Sequence, residues 1–333
     1  MRNLMDLGDQ MFGDACASRS SGTGADQRLS VRVLGSLEMR RGEHVLTAKE
    51  LGGPRQRQVL EILLLRPGTP VSKHRLLELL WGDSAPAGAM GTLESYVSVL
   101  RRHLQPGQAT TGPLKTTNGG YLMDASLVEV DLHRFDRLLE SARCAPAYEA
   151  YRLLGQALDI ASAPLLENEL GCEWAQSQRD VHATRVREAR LLAAEMALQL
   201  GQAPEALAHA RAVLGQEPLE ERAWTVLVLG LEATDRAVEG LQAYDRCRRL
   251  LARELGCAPG PALRSAHRRL LQATAGHEDD LAQAVSALLV LHGHFHDSLP
   301  AVDRVPGVPD PRAHREAAAV LEAFLGRTFS LTS

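Results

Sequence analysis

The stretch Thr92–Leu104, "TLESYVSVLRRHL", decides how this chain is read. At 100° per residue, Leu93, Val97, Leu100 and Leu104 fall in one narrow stripe, and Ser95, Ser98 and Arg102 lie nearly opposite. The leucine stripe requires a core. A solvated helix face is usually crowded with Glu and Lys. This one carries two hydroxyls, a guanidinium and, slightly off axis, an uncovered Val99, a mixture suited to a DNA groove.

The flanking sequence supplies the frame for such a helix. Upstream, "LSVRVLGSLEMRRGEHVLT" from Leu29 alternates apolar and polar residues about a Gly-centred turn, which predicts short strands. Pro54 suits the first position of a helix, and "RQRQVLEILLLRPG" then runs to a Pro-Gly stop. Ser72 can cap a second helix, "KHRLLELLWG", with Leu76, Leu77, Leu80 and Trp81 on one side and Gly82 as its end. The loop Asp83–Met90 follows, and after the quoted helix "LKTTNGGYLMD" places Asn118-Gly119 at a hairpin turn. Strands, three helices and a terminal hairpin make a winged helix-turn-helix over residues 28–124, with the quoted segment as the helix that enters the major groove.

Roles follow from chemistry. Arg102 can pair bidentately with a guanine, Ser95 and Ser98 can bond either base type, and Val99 can touch a thymine methyl, with Thr92 opening the same helix. Arg55, Arg57, Lys73, His74 and Arg101 are placed for phosphates, and Lys115, Thr116 and Thr117 on the wing for the neighbouring groove. The charge distribution agrees. The net charge of the 333 residues is -4, yet residues 28–123 hold 13 Lys/Arg against 7 Asp/Glu, a basic block beside an acidic remainder.

From Val130 the pattern becomes nearly continuous helix. "APEAL" at Ala203–Leu207 recurs as "AVEGL" at Ala237–Leu241, a displacement of 34 residues, which is the tetratricopeptide period. In the second copy Trp224, Leu227, Leu231, Gly240, Tyr244 and Cys247 take the aromatic, leucine and small positions; in the first, Ala194, Ala206 and Pro218 do. Small residues at Ala206 and Gly240 allow two helices to cross closely. Stacked hairpins of this kind make surfaces for other proteins.

With these pieces in place the chain resembles the SARP family, the antibiotic regulatory proteins of Streptomyces and its relatives. Those proteins join a winged helix of the response-regulator output (OmpR/PhoB) type to a bacterial transcriptional activation domain. The matching segments are "VRVLGSLEM", "PRQRQVLEILLLRPGTPVSKHRLLELLWG", "TLESYVSVLRRHL", "NGGYLM" and "VEVDLHRFDRLL", then "AEMALQLGQAPEALAHARAVLGQEPLEERAW" and "AYDRCRRLLARELGCAPGPALRSAHRRLL", covering roughly residues 29–273. The resemblance implies a transcriptional activator of secondary-metabolite biosynthesis that binds direct repeats in double-stranded promoter DNA, as a homodimer there, and recruits RNA polymerase holoenzyme. It places the recognition helix at Thr92–Leu104, the wing at Lys115–Leu122, the loop Asp83–Met90 toward polymerase and the activation domain at 128–275. Three departures stand out: residues 1–27, a Ser/Gly-rich stretch read as a disordered tail; "DIASAP", which lacks a Trp often found there; and residues 277–333, a C-terminal helical extension of unknown role.

The expected fold class is therefore mainly α with a small β component. An alternative function is a tetratricopeptide-like scaffold whose winged helix binds protein, but such a scaffold has no need of the basic block. No metalloprotease, nucleophile-elbow, dinucleotide or P-loop motif is found, so neither catalysis nor a cofactor is expected. The five cysteines are scattered, without a C-x-x-C, and indicate neither a disulfide frame nor a zinc finger. "LHGHFHDS" brings His292, His294 and His296 together as a weak metal candidate beside the plainer reading, a solvated turn. "DPRAHREAAAVLEAFLGRTF", capped by Asp310 and Pro311, is an amphipathic helix whose Ala317, Val320, Leu321, Phe324 and Leu325 need a partner surface. No apolar run approaches a membrane span and the N-terminus is acidic where a secretory signal is basic, so the expected location is cytoplasmic.

Overall fold

A computed structural model describes residues 28–107, 111–169 and 171–274, together with Leu288 and Ala319. The expectations for residues 1–27, for the histidines at 292, 294 and 296 and for the terminal amphipathic helix lie outside the described residues. The chain divides into two compact units, Met1–Ala189 and Arg190–Ser333.

The first unit opens with the strands β1 (Leu29–Arg32), β2 (Glu38–Arg41) and β3 (His44–Thr47), an antiparallel meander. Helix α1 (Pro54–Leu64) starts on the expected proline, with Gly53 as its N-cap. Next come β4 (Val71–Ser72), α2 (Lys73–Trp81) and α3 (Ala89–Leu104). Ser72 caps α2 as expected, its Oγ accepting from Arg75 N at 3.1 Å, and Gly82 ends it with φ +56°. The hairpin β5 (Leu114–Thr117) and β6 (Gly120–Met123) turns on Asn118-Gly119, with Gly119 at φ +84°, the backbone region that favours glycine at such a turn.

Two features differ from the sequence reading. Helix α3 begins at Ala89, so Ala89 and Met90 belong to it and the preceding loop ends at Gly88, whose φ of +84° sets the helix start. The wing is also three-stranded: β4 pairs with β6, Val71 opposite Tyr121 and Ser72 opposite Gly120. A two-residue strand carries no readable alternation, so this pairing was invisible in the sequence.

The chain stays in contact with the first sheet after the wing. Strand β7 (Val128–Val130) pairs in parallel with β1, giving the sheet order β3-β2-β1-β7, and parallel neighbours require a long crossover. Here the crossover is the winged helix itself. Asp131, first residue of α4 (Asp131–Cys144), then accepts from Val33 N at 3.0 Å and Leu34 N at 3.1 Å. After α5 (Ala147–Ile160) the chain returns, with Gly35 N donating to Pro164 O at 2.8 Å and Leu166 N to Val33 O at 2.9 Å. Leu132, Leu165, Leu166 and Ala175 join the same core as Leu60, Leu93 and Leu100. The compact unit that contains the winged helix extends to Ala189.

Helix α6 (Glu173–Gln199) runs from the first unit into the second. The second unit continues with α7 (Ala203–Gln216), α8 (Glu221–Ala233) and α9 (Ala237–Leu255), then helical residues 261–274. α7 and α9 start 34 residues apart, as the repeat requires. Ala194, Ala206, Trp224, Leu227, Leu231, Tyr244 and Cys247 are all buried, and Trp224 Nε1 donates to Pro218 O at 2.8 Å. A Cβ on Gly240 would come within 2.8 Å of Leu270 Cδ1, the close crossing for which a small residue is needed. No helix among the described residues is long and apolar enough to cross a membrane.

Candidate nucleic-acid interface

Helix α3 is oriented by its apolar stripe. Leu93, Leu100 and Leu104 are fully buried and Val97 is 1% exposed, so the opposite face must point out. Ser95, Ser98 and Arg102 are exposed there, with Thr92 and Val99 half-buried at the edges. Trp81 of α2 stacks on Tyr96 of α3, ring centroids 6.3 Å apart and nearly parallel, which fixes the rotation of one helix against the other.

The hydroxyls differ in freedom. Ser95 Oγ donates back to Gly91 O at 2.9 Å and Thr92 Oγ1 to Gly88 O at 3.3 Å, leaving their lone pairs outward. Ser98 and Arg102 make no hydrogen bond or ion pair with any described residue. Arg102 is therefore a solvated guanidinium with all five donors available.

Most of the other sequence-selected residues are committed within the chain. Arg101 donates from Nε to Leu114 O at 3.2 Å and from Nη2 to Thr116 Oγ1 at 2.6 Å, joining α3 to the wing. Lys73 Nζ donates to Glu94 Oε1 at 2.6 Å, and this bond raises the lysine's pKa. Lys115 pairs with Asp124, whose carboxyl is held down to about 2, chiefly by that bond and then by Ser126. Arg55 donates to Leu80 O and lies over the Trp81 ring, 5.8 Å from its centroid. Arg57 donates to Gly52 O at 3.2 Å and weakly to Ala48 O, with its Nε buried and unpartnered. His74 is exposed at the start of α2. Thr117 Oγ1 is buried without a partner. The structure thus gathers Ser95, Ser98, Val99 and Arg102 on one face and uses Arg55, Arg57 and Arg101 as braces.

Two residues of this face escaped the sequence reading. Tyr121, 4% exposed, lies under both Lys73 and Arg101, 5.7 and 5.9 Å from its ring centroid. Glu94 holds Lys73. The signal for Tyr121 was an aromatic following Gly-Gly in the hairpin; Glu94 gave none, because its partner is 21 residues away. Among the described residues no group of three or more His, Cys, Asp or Glu side chains could hold a metal ion.

Two family descriptions match this chain: "Transcriptional regulatory protein, C terminal" over residues 47–123 and "Bacterial transcriptional activator domain" over residues 130–271. They part where the sequence pattern parts, although the first compact unit runs on to Ala189. Among relatives, regulatory protein AfsR of Streptomyces coelicolor is 36% identical over 252 residues, which cover 72% of this chain and 24% of that protein. The chain thus spans about a quarter of the AfsR proteins' length. Regulatory protein DnrI of Streptomyces peucetius is 32% identical over 238 residues, covering 66% of this chain and 85% of DnrI. A solved structure of Mycobacterium tuberculosis EmbR, in complex with a low-affinity phosphopeptide, superposes with a TM-score of 0.64 at 25% identity, covering 89% of this chain and 70% of that one.

Proposed function

The chain belongs to the SARP family of transcriptional activators, and from that premise we propose that it binds double-stranded promoter DNA sequence-specifically through α3 and activates genes of secondary-metabolite biosynthesis. The observation that carries this is the pairing, on one helix, of four buried apolar residues with an outward face of Ser95, Ser98 and the unpartnered Arg102. Arg102 reads a guanine, the serines bond base edges or phosphates, and Val99 meets a thymine methyl. The wing follows the neighbouring groove, positioned through Arg101 and Thr116.

Two copies lie side by side on direct repeats about one helical turn, 10–10.5 bp, apart, so that each presents the same face of the duplex. RNA polymerase holoenzyme is recruited by this homodimer, which works by binding in the cytoplasm, without catalysis or a cofactor. Affinity falls with salt, by about 0.9 in log–log slope per phosphate neutralised.

A mobility-shift titration on promoter fragments tests the reading. Arg102→Ala is expected to cost about 1–3 kcal/mol on the specific site and to relax preference at one base pair. Lys73→Ala should weaken specific and random DNA alike, since it leaves Glu94 as an uncompensated carboxylate on the DNA-facing helix. Equal behaviour of the two variants on both DNAs would sink the assignment of the α3 face, and no binding to any duplex at low salt would sink the function.

A further inference from the structure

The second unit carries a groove that DNA binding does not use. It lies between α7 and α9, floored by Leu214, Trp224 and Leu227, with a volume of about 980 Å³. Its walls are basic although residues 124–333 hold 22 Lys/Arg against 30 Asp/Glu. Arg211 stands on the α7 side, and Arg246, Arg249 and Arg253 stand in a row on the α9 side. The one acid of the lining, Glu239, is taken by Arg236 at 2.6 Å. Arg211 and Arg246 are exposed and make no hydrogen bond or close ion pair with a described residue, although Arg211 lies near enough to Glu239 to help Arg236 hold its carboxyl down. Arg249 and Arg253 pair with Asp245 and Glu254, both at 2.8 Å. Those pairs are exposed on both sides and worth little, so an incoming carboxylate can exchange with them.

Shape and spacing narrow the ligand. The α9 wall runs from Glu239 to Arg253, about 21 Å at 1.5 Å per residue, too long for a compact metabolite to span. The three arginines of that wall recur at about 4.5 and 6 Å along the helix, close to one helical turn. A helix laid in the trough repeats its own side chains at the same interval. We infer that this groove docks an acidic amphipathic helix of a partner protein, with apolar residues on the Leu214–Trp224–Leu227 floor and carboxylates one turn apart against Arg246, Arg249, Arg253 and, across the groove, Arg211. The complementarity is specific to carboxylates on a helix with an apolar face. A duplex offers phosphates but nothing for the floor.

The test uses the full chain and no DNA, so its result is separable from that for the α3 face. A fluorescein-labelled synthetic helix of about four turns, with leucines at i, i+4, i+7 and i+11 and glutamates along both edges, is titrated by anisotropy. Saturable binding is expected at micromolar concentrations, quenched by salt. Arg211→Glu with Arg246→Glu should weaken it at least tenfold while leaving the circular dichroism unchanged. If that pair of substitutions disturbs folding, Arg246→Gln alone should still weaken binding severalfold. The inference is overturned by any of four results: no saturable binding, equal binding of a scrambled peptide of the same composition, indifference to the arginine substitutions, or full displacement by a short duplex, which would make the groove a general polyanion surface.

Discussion

Replacing Glu61 by Gln is expected to stabilise the protein at pH 8 and to change it little at pH 5. Glu61 sits in α1 at 1% exposure, with Oε2 unpartnered and Glu169, itself 5% exposed, nearby. Burial first, and the neighbouring Glu169 carboxylate second, push its pKa up from 4.5 to about 8, opposed by Arg57. Between those values the folded chain keeps a proton that the unfolded chain has released. The unfolded state then binds fewer protons, so stability is fully present below pH 4.5 and falls as pH rises toward 8. A shift of this size corresponds to roughly 3–5 kcal/mol across the window. Gln keeps the volume and removes the titration. Urea unfolding of both proteins at pH 5, 6.5 and 8 checks this: the advantage of Glu61→Gln should grow with pH, and a constant difference would refute the buried-acid account.

The environment of Glu61 shows where sequence reading stops. The alternation of β1 to β3, the proline start of α1, the serine cap of α2 and the stripe of α3 are local patterns, and each was legible because its physical cause lies within one element. Gln58 through Leu64 are buried without a break, a pattern no amphipathic period predicts. The far side of α1 is covered by the return after α5, where Gln58 Nε2 donates to Glu169 Oε2 at 2.6 Å and to Cys172 Sγ at 3.1 Å. Those partners lie more than a hundred residues on, beyond the reach of any periodicity.

The same limit applies to the interface. Residue type and helical phase sufficed to place Ser95, Ser98 and Arg102 on the exposed face of α3. They failed to separate Arg102, which is free, from Arg101, its neighbour, which is spent on Leu114 O and Thr116. That difference carries mechanistic weight. Arg101, Lys73 and Tyr121 tie α3, α2 and the wing into one piece, so under the proposed function their ordering entropy is lost in folding and not in DNA binding.

The wing's root provides the second large effect. A Cβ on Gly120 would lie 2.3 Å from Val71 O and 2.9 Å from Val71 C. Both are backbone atoms of the strand paired with it, so no rotamer change relieves the collision. The cost is the β4–β6 pairing itself, and with it the bond from Lys73 N to Gly119 O at 3.0 Å that holds the start of α2 to the wing. Gly120→Val should therefore lower stability by about 3 kcal/mol, the upper range for forced overpacking. It should also cost more than tenfold in affinity for duplex DNA, because wing and α3 no longer share one frame. Gly119→Asn is the contrast. Gly119 has φ +84° but open space around it, and Asn tolerates the left-handed region, so a change of about 1 kcal/mol or less is expected. Thermal melts and mobility shifts on the two variants decide the point: if Gly119→Asn proved the more damaging, turn geometry rather than the β4 contact would be what holds the wing in place.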